Sequence, residues 1–317
     1  MHNNLFISSC IGTMLLAQLG APLNALGFMV AVLVSVCVIG VPHGGLDHLA
    51  GRMLFRSSCG RLWFIPFFVG YLAIAGMAVV GWLLFPLWTA IGFFMISANH
   101  FGREDRSPDP LVETVTVWSS LTAIGTGGLV IWIPAIARPT EMQQILQAII
   151  PAGIGASSES IVFWTQILAA MFVPVAIVEI IYSFASPEAR AHDGVARAVR
   201  HVFLILMLVA TPIPFSFCLF FCGWHSIRGL SQLMQDHRMT LQQLTIAALP
   251  MSLGAVGLCG LGAWFWSSGR ELNAELTRTL FLGLSGMAVP HLVLHDLMPM
   301  MVRHFSFESK LDNPSAA

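Results

Sequence analysis

The sequence predicts an all-α, polytopic transmembrane bundle of about eight to ten helices that carries an intramembrane metal site. Of the 317 residues, 56% are apolar and only 10% are charged, whereas roughly a quarter of an average soluble domain is charged. Apolar stretches of membrane-spanning length recur along the chain, and histidines stand inside or at the ends of four of them. The net charge of −1 argues against a nucleic-acid partner, because phosphate binding requires clustered Lys and Arg.

The candidate spans are runs of about 20 predominantly apolar residues. Six clear ones cover residues 24–41, 62–85, 111–137, 161–185, 241–266 and 279–301, and three shorter or broken ones cover 5–19, 87–101 and 201–233. Pro212 and Pro214 predict that the last of these regions is broken into two short helices, since proline removes a backbone donor and clashes with the preceding turn. We expect residues 1–308 to form one integral membrane domain and residues 309–317 to form a disordered tail.

Two arginine-rich loops predict the orientation, because short cytoplasmic loops carry an excess of basic residues. The arginines are Arg52, Arg56 and Arg61 in the first loop and Arg190, Arg197 and Arg200 in the second. With both loops inside, His43 and His100 lie at the cytoplasmic ends of their spans. His225 then falls in the inner half, and His291 lies past the middle of an inward-running span.

Four separate spans therefore bring histidines to a similar depth. Ionisable residues at membrane depth are costly and are functional candidates by default, and neutral imidazole is the commonest metal ligand. We predict a metal bound by His43, His100, His225 and His291, with His295 as a further candidate one turn after His291. Imidazole suits iron, zinc and copper, and the absence of thiolate pairs argues against a closed structural zinc site.

Acidic side chains near these histidines are predicted to orient the rings. Helical spacing places His43 with Asp47 and His291 with His295 on common faces. We assign Asp47, Asp105 and Asp296 as acceptors for ligand N–H groups, with Arg228 as a partner for one of them. His48 is a further candidate for this surrounding group, as a hydrogen-bonding partner. The alternatives are that it binds the metal or that it lies at the membrane interface.

The four histidine blocks, taken together and in this order, resemble the Brp/Blh family of membrane-bound β-carotene dioxygenases. The matching residues are Pro42-His43-Gly44-Gly45-Leu46-Asp47, His100-Phe101-Gly102 with Asp105, His225-Ser226 with Arg228, and Pro290-His291 with Asp296. The resemblance implies a polytopic enzyme that uses non-haem Fe(II) and O₂ to cleave the central double bond of β-carotene into two molecules of retinal. It implies that His43, His100 and His225 bind the iron.

One position departs from the family pattern. The family reads His-Ser-Arg-Arg-His at the third block, whereas this chain reads His225-Ser226-Ile227-Arg228-Gly229. We hypothesise that His295 or His291 supplies the missing fourth ligand, so that His295→Ala should lose iron as completely as His43→Ala. The alternatives are a site with a different metal, a second metal or a different substrate.

The resemblance also implies partners and a location. These are membrane lipid, a carotenoid, O₂ and an opsin that receives the product, in a multi-pass protein of a bacterial-type inner membrane. Aromatic residues near the motifs are candidates for an apolar substrate tunnel, with packing or lipid contact as the alternative: Phe94, Phe101, Phe221 and Trp224.

Three other functions stay open from the residues alone. A lipid hydroxylase or desaturase would usually carry His-x-x-His-His patterns, which are absent. A metal or proton transporter would often show repeated halves, and no internal repeat is visible. A haem carrier would use two axial histidines.

Overall fold

The computed structural model describes residues 2–23, 25–105, 116–151, 157–191, 193–236, 238–265 and 271–297. These residues form helices and turns, and no strand occurs among them. The predicted all-α fold is therefore confirmed. The predicted tail at 309–317, and the predicted span residues 24, 111–115, 266 and 298–301, lie outside the described residues.

The chain up to residue 137 contains eight α-helices in the described part. They are α1 (His2–Gln18), α2 (Leu26–Ser35), α3 (Val41–Gly44), α4 (Asp47–Cys59), α5 (Phe64–Leu84), α6 (Pro86–Asp105), α7 (Val117–Gly127) and α8 (Leu129–Ala137). The rest of the chain adds another eight within its described ranges. They are α9 (Pro139–Ile149), α10 (Ser158–Ala185), α11 (Pro187–Ala191), α12 (Gly194–Ala210), α13 (Ile213–Phe220), α14 (Ile227–Asp236), α15 (Leu241–Phe265) and α16 (Leu272–Leu292).

Five helical segments in the described residues are long and apolar enough to cross a membrane, and the chain is a multi-pass membrane protein. These segments are Leu26–Leu62, Phe64–Leu84, Ser158–Ala185, Leu241–Phe265 and Leu272–Asp296. A sixth results if α7 and α8, which meet at an angle of 53°, form one broken span. The predicted total of about eight to ten also counted segments now seen as α1, α6, α12 and α13 with α14, which are shorter or more polar than such a span requires.

Two helix breaks bear on the predicted spans. The break at Pro212 and Pro214 is confirmed, since α12 ends at Ala210 and α13 begins at Ile213. The span predicted over residues 111–137 is seen, in its described part, as two helices that meet at a bend at Gly128. A Cβ at Gly128 would lie 2.0 Å from Nε1 of the Trp132 indole, so the indole occupies the space beside this glycine.

Small residues let α6 and α7 pack with their backbones in contact. A Cβ at Gly102 would lie 2.0 Å from the carbonyl oxygen of Ala123, and one at Gly127 would lie 2.1 Å from the backbone nitrogen of Gly102. Close backbone approach through small residues is the usual way that helices associate in a membrane. Because His100 lies two residues before Gly102, this contact also fixes the position of that histidine.

Three short π-helical turns interrupt the helices close to histidines. Val36–Gly40 precedes His43, Phe221–Ser226 contains His225, and Val293–Leu297 contains His295. The first turn has a local cause, since Pro42 cannot donate a backbone hydrogen bond and its ring would clash with the carbonyl of Val38 in a regular helix. Such widened turns occur often at functional sites, and they rotate the side chains that follow.

Candidate metal centre

Four imidazole rings from four parts of the chain meet in the interior of the bundle. His43 belongs to α3, His100 to α6, His225 to the π turn before α14, and His291 to α16. The ring centroids of His43 and His225 lie 4.9 Å apart, and those of His225 and His100 lie 5.3 Å apart. His100 and His291 are 5.4 Å apart, and His291 and His43 are 5.1 Å apart. The sequence predicted that these four residues would converge, and the structure brings all of them together.

Several ring nitrogens of this cluster are buried without a hydrogen-bond partner. They are both nitrogens of His43 and Nε2 of His100 and of His291. A buried polar atom without a partner is costly and requires an explanation. Lone pairs of neutral imidazoles that face one another are the donor set of a transition-metal site. The residues present therefore fit a bound metal ion.

Carboxylates hold the outer nitrogens of three of these rings. His100 Nδ1 donates to Asp296 Oδ2 over 3.0 Å, and His291 Nδ1 donates to both Asp47 oxygens over 2.9 and 3.0 Å. His225 Nδ1 lies 3.2 Å from Glu104 Oε2. Because an ionised carboxylate only accepts, the Nδ1 atoms of His100 and His291 carry the proton and their Nε2 lone pairs are free. This arrangement is typical of histidines that bind a metal.

The acidic partners differ in part from those predicted. Asp296 lies beside a ring of the cluster, as predicted, whereas Asp47 bonds to His291 and not to His43. The reason is a turn at Gly45 and Leu46, which separates α3 from α4 and takes Asp47 off the helical face of His43. Glu104, which the sequence interpretation left out, lies exactly one i,i+4 step from His100, and this spacing was a signal that could have identified it.

Asp105 belongs to a separate buried network. It accepts hydrogen bonds from Arg200, from Arg228 over 3.2 Å and from the Trp224 indole over 3.0 Å, and it lies 3.1 Å from His201 Nε2. Arg228, which the sequence interpretation assigned as a partner for one of the acids, forms an ion pair with Asp105. The assignment of Asp105 as an acceptor for a ligand histidine is wrong, because its oxygens bond to residues outside the four-ring cluster.

His295 and His48 lie beside the cluster and have other partners. The ring of His295 is 4.5 Å from that of His291, but His295 Nε2 is paired with Asp47 Oδ1 at 2.9 Å. Two groups of potential ligand atoms lie within 4.8 Å of one another: His43, His100, Glu104 and His225 form the first, and Asp47, His291 and His295 form the second. His48 Nδ1 lies 3.1 Å from the carbonyl oxygen of Gly45.

Tyr71 is a further residue that the sequence interpretation missed. Its hydroxyl donates to Asp47 Oδ2 over 2.8 Å, so a chain of hydrogen bonds runs from Tyr71 through Asp47 to His291. The protein contains only two tyrosines, and Tyr71 lies in the middle of an apolar span. A phenol at that depth requires a partner, which was the available signal.

An apolar cavity of about 200 Å³ opens beside the four rings, and all four line it. Of the aromatic residues predicted to form a tunnel, Phe94, Phe101 and Phe221 lie in its wall. Trp224 is packed in the core next to Phe6 and donates to Asp105. The geometry offers a metal site that faces a space suited to an apolar molecule.

Comparisons with known proteins agree on one family. The family model for beta-carotene 15,15'-dioxygenase matches residues 34–299, a region that contains the four clustered histidines. The chain is 24% identical over 268 residues to the beta-carotene 15,15'-dioxygenase of uncultured marine bacterium 66A03. The aligned region covers 84% of this chain and 92% of that protein. It is 23% identical over 297 residues to the probable beta-carotene 15,15'-dioxygenase Blh of Halobacterium salinarum. That aligned region covers 87% of this chain and 85% of the relative. No solved structure matches the chain.

Proposed function

Because the chain belongs to the beta-carotene 15,15'-dioxygenase family, we propose that it cleaves the central double bond of β-carotene, or of a related carotenoid, with O₂. Each half of the substrate takes one oxygen atom and leaves as retinal. The observation that carries this proposal is the cluster of four histidines in the wall of an apolar cavity. A carotenoid is insoluble in water and dissolves in the bilayer, so an enzyme for it requires an intramembrane site of this kind.

The proposed cofactor is Fe(II), held by His43, His100, His225 and His291. Iron on neutral imidazoles supplies the activation of O₂ beside the double bond. Asp296, Asp47 and Glu104 fix the orientation of the rings. Partners of this kind are worth about 10- to 100-fold in metal affinity.

The remaining side chains bind and position the substrate. Phe94, Phe101 and Phe221 in the cavity wall contact the polyene and exclude water from the cleavage site.

His295 acts with Tyr71 as a hydrogen-bonding partner of Asp47 rather than as the fourth ligand. The second group of possible ligands, with His291 and His295, leaves a two-metal site as the alternative, and one or two iron atoms per chain distinguish the two.

The second candidate function is oxidation of another apolar lipid or polyene at the same site. The cavity supports it equally, because its wall is apolar apart from the histidines and a few hydroxyl groups.

We place the protein in the cytoplasmic membrane of its cell, where an opsin is the natural acceptor of retinal.

The test is expression in a bacterium that produces β-carotene, with carotene and retinal measured by chromatography. We expect loss of carotene with formation of retinal, and neither with His100→Ala. The matched control is His48→Ala, which should retain activity because His48 bonds only to a backbone carbonyl in the described residues. Unchanged carotene in cells whose purified protein carries a full complement of iron would contradict the proposal and favour another substrate.

A further inference from the structure

A second cavity, of about 430 Å³, lies between α5, α15 and α16. Its wall is apolar except for Tyr71, Cys259, Thr279 and Arg278, and Arg278 is paired with Glu275. Its size is within the range of small-molecule sites, which are about 300–1,000 Å³ and mostly apolar. The cavity therefore has room for part of an apolar ligand.

The two cavities are adjacent and share part of one wall. Four residues line both of them, namely Tyr71, Met251, Ala255 and Met287. The first cavity extends from α9 to α15 past the four histidines, and the second continues from the same α15 residues. The two apolar cavities therefore lie side by side, with Tyr71, Met251, Ala255 and Met287 between them.

The outer side of the second cavity faces away from the bundle. Phe68, Leu72 and Leu258 in its wall are 38%, 53% and 57% exposed. On a membrane protein, apolar side chains exposed at the depth of the spans contact lipid. The second cavity thus lies between the bilayer and the first cavity.

Tyr71 connects this junction to the candidate metal centre. It lines both cavities, and its hydroxyl holds Asp47, the carboxylate that accepts from His291. A molecule that passes the junction contacts the same phenol that orients a ring of the cluster.

We propose that the cavity between α5, α15 and α16 is a binding subsite for one end of an elongated apolar polyene, and its entrance from lipid. The proposal rests on the proposed function and extends it. Cleavage at a central bond requires space for a long apolar arm on each side of that bond. The first cavity, with Met142 and Ile145 of α9 in its wall, holds one arm, and the second cavity holds the other.

Glycines of α15 provide a matched pair of variants. Gly254 lines the second cavity, and a Cβ there meets nothing within 4 Å, so the side chain of Gly254→Leu starts in open space at the cavity wall. Gly257 is on the same helix and is equally open, but it does not line the cavity, so Gly257→Leu is the control. Steady-state cleavage is measured with β-carotene and with an apocarotenal in which one end is truncated.

We expect Gly254→Leu to raise KM for β-carotene on the order of tenfold, which is the effect of steric change in an apolar pocket. The apocarotenal, whose short arm does not reach the second cavity, should be affected less, and Gly257→Leu should match the unsubstituted protein. Equal kinetics of the two leucine variants, or an equal loss on both substrates, would overturn the proposal.

A second measurement does not depend on turnover or on a leucine variant that folds. Cys259 lines the cavity, and its modification by an apolar methanethiosulfonate is followed by mass spectrometry, with Cys259→Ser to identify the signal. β-Carotene should slow modification of Cys259 several-fold, and an unchanged rate would overturn the subsite. If the unsubstituted protein binds β-carotene at this site without cleaving it, the proposed function fails and the subsite stands.

Discussion

At the scale of single residues, the ring of His43 rests directly on the backbone at Gly229. A Cβ at position 229 would lie 2.1 Å from His43 Cε1 and 2.5 Å from His43 Nδ1. The resemblance described in the sequence analysis implied a histidine at this position, and a histidine here is incompatible with the observed place of the His43 ring. The glycine and the position of His43 are therefore coupled, and His291 fills the fourth corner of the cluster.

Gly229→Ala should displace His43 and weaken metal binding by about 10- to 100-fold, the usual cost of disturbing a supporting contact of a metal site. Iron content after titration with Fe(II) under anaerobic conditions measures this loss. Gly223→Ala is the control, because its Cβ would meet only Leu219 Cδ1, at 3.3 Å. Equal iron binding by both alanine variants would show that Gly229 does not position His43.

His291 and His295 make opposite predictions for the fourth ligand. His291 Nε2 is buried without a partner, whereas His295 Nε2 is already paired with Asp47. His291→Ala should therefore lose iron as completely as His43→Ala, and His295→Ala should keep most of it. Metal analysis of the purified variants measures the difference. Loss of all iron in His295→Ala would return His295 to the ligand set, as the sequence-based hypothesis allowed.

The sequence was enough to select the histidines, but it could not assign every partner. Four histidines at a common depth identified the cluster, because ionisable groups in lipid are rare. Helical spacing misplaced Asp47, because the turn at Gly45 and Leu46 is not visible in the periodicity. Asp105 was preferred to Glu104 although its spacing from His100 is poorer, and only the packing of α6 shows which carboxylate faces the rings.

At the scale of helices, the contact between α6 and α7 sets the position of His100. The backbone of Gly102 lies against Ala123 and Gly127, with no space for a Cβ. Any side chain at Gly102 must push the two helices apart. The displacement would reach His100, which is half a turn away on α6.

Gly102→Ala should lower the free energy of unfolding by about 1–3 kcal/mol, the cost of overpacking, and should reduce iron binding at the same time. Gly92→Ala on the same helix is the control, since its Cβ meets nothing within 4 Å, and alanine there should add about 0.5–1 kcal/mol. Thermal unfolding in detergent micelles compares the two. If both alanine variants unfold at or above the temperature of the unsubstituted protein, the close contact of α6 and α7 is not required.

Hydropathy located the long helices well and their irregularities poorly. The apolar runs that became α5, α10 and α15 follow directly from their composition. The bend at Gly128 and the three π turns leave no trace in hydropathy, because hydropathy reports how apolar a segment is and not its local backbone geometry. The π turns precede His43 and contain His225 and His295, so they also set the direction of these side chains.

At the scale of the whole molecule, one buried ion network joins four helices, three of them at their ends. Asp105 at the end of α6 contacts Arg200 of α12 and Arg228 of α14, and Arg200 also donates to Asn3 of α1 over 2.7 Å. The predicted topology places both the end of the span that carries His100 and the segment with Arg200 on the cytoplasmic side, so the contact of Asp105 with Arg200 is consistent with it. Breaking such a buried pair costs about 3–5 kcal/mol, so the network holds these helices together.

The same topology places α4 at the cytoplasmic side, and Cys59 makes this testable. Cys59 is exposed and lies between Arg56 and Arg61 in the arginine-rich segment, which the excess of basic residues directs inward. In spheroplasts, a membrane-impermeant maleimide should leave Cys59 unlabelled until the cells are lysed. The comparison is Phe85→Cys in a Cys59→Ser background, because Phe85 is 63% exposed at the turn between α5 and α6, the predicted outer side. Labelling of Cys59 in intact spheroplasts, with Phe85→Cys protected, would mean that the whole bundle has the opposite orientation in the membrane. The four histidines would then lie near the outer face.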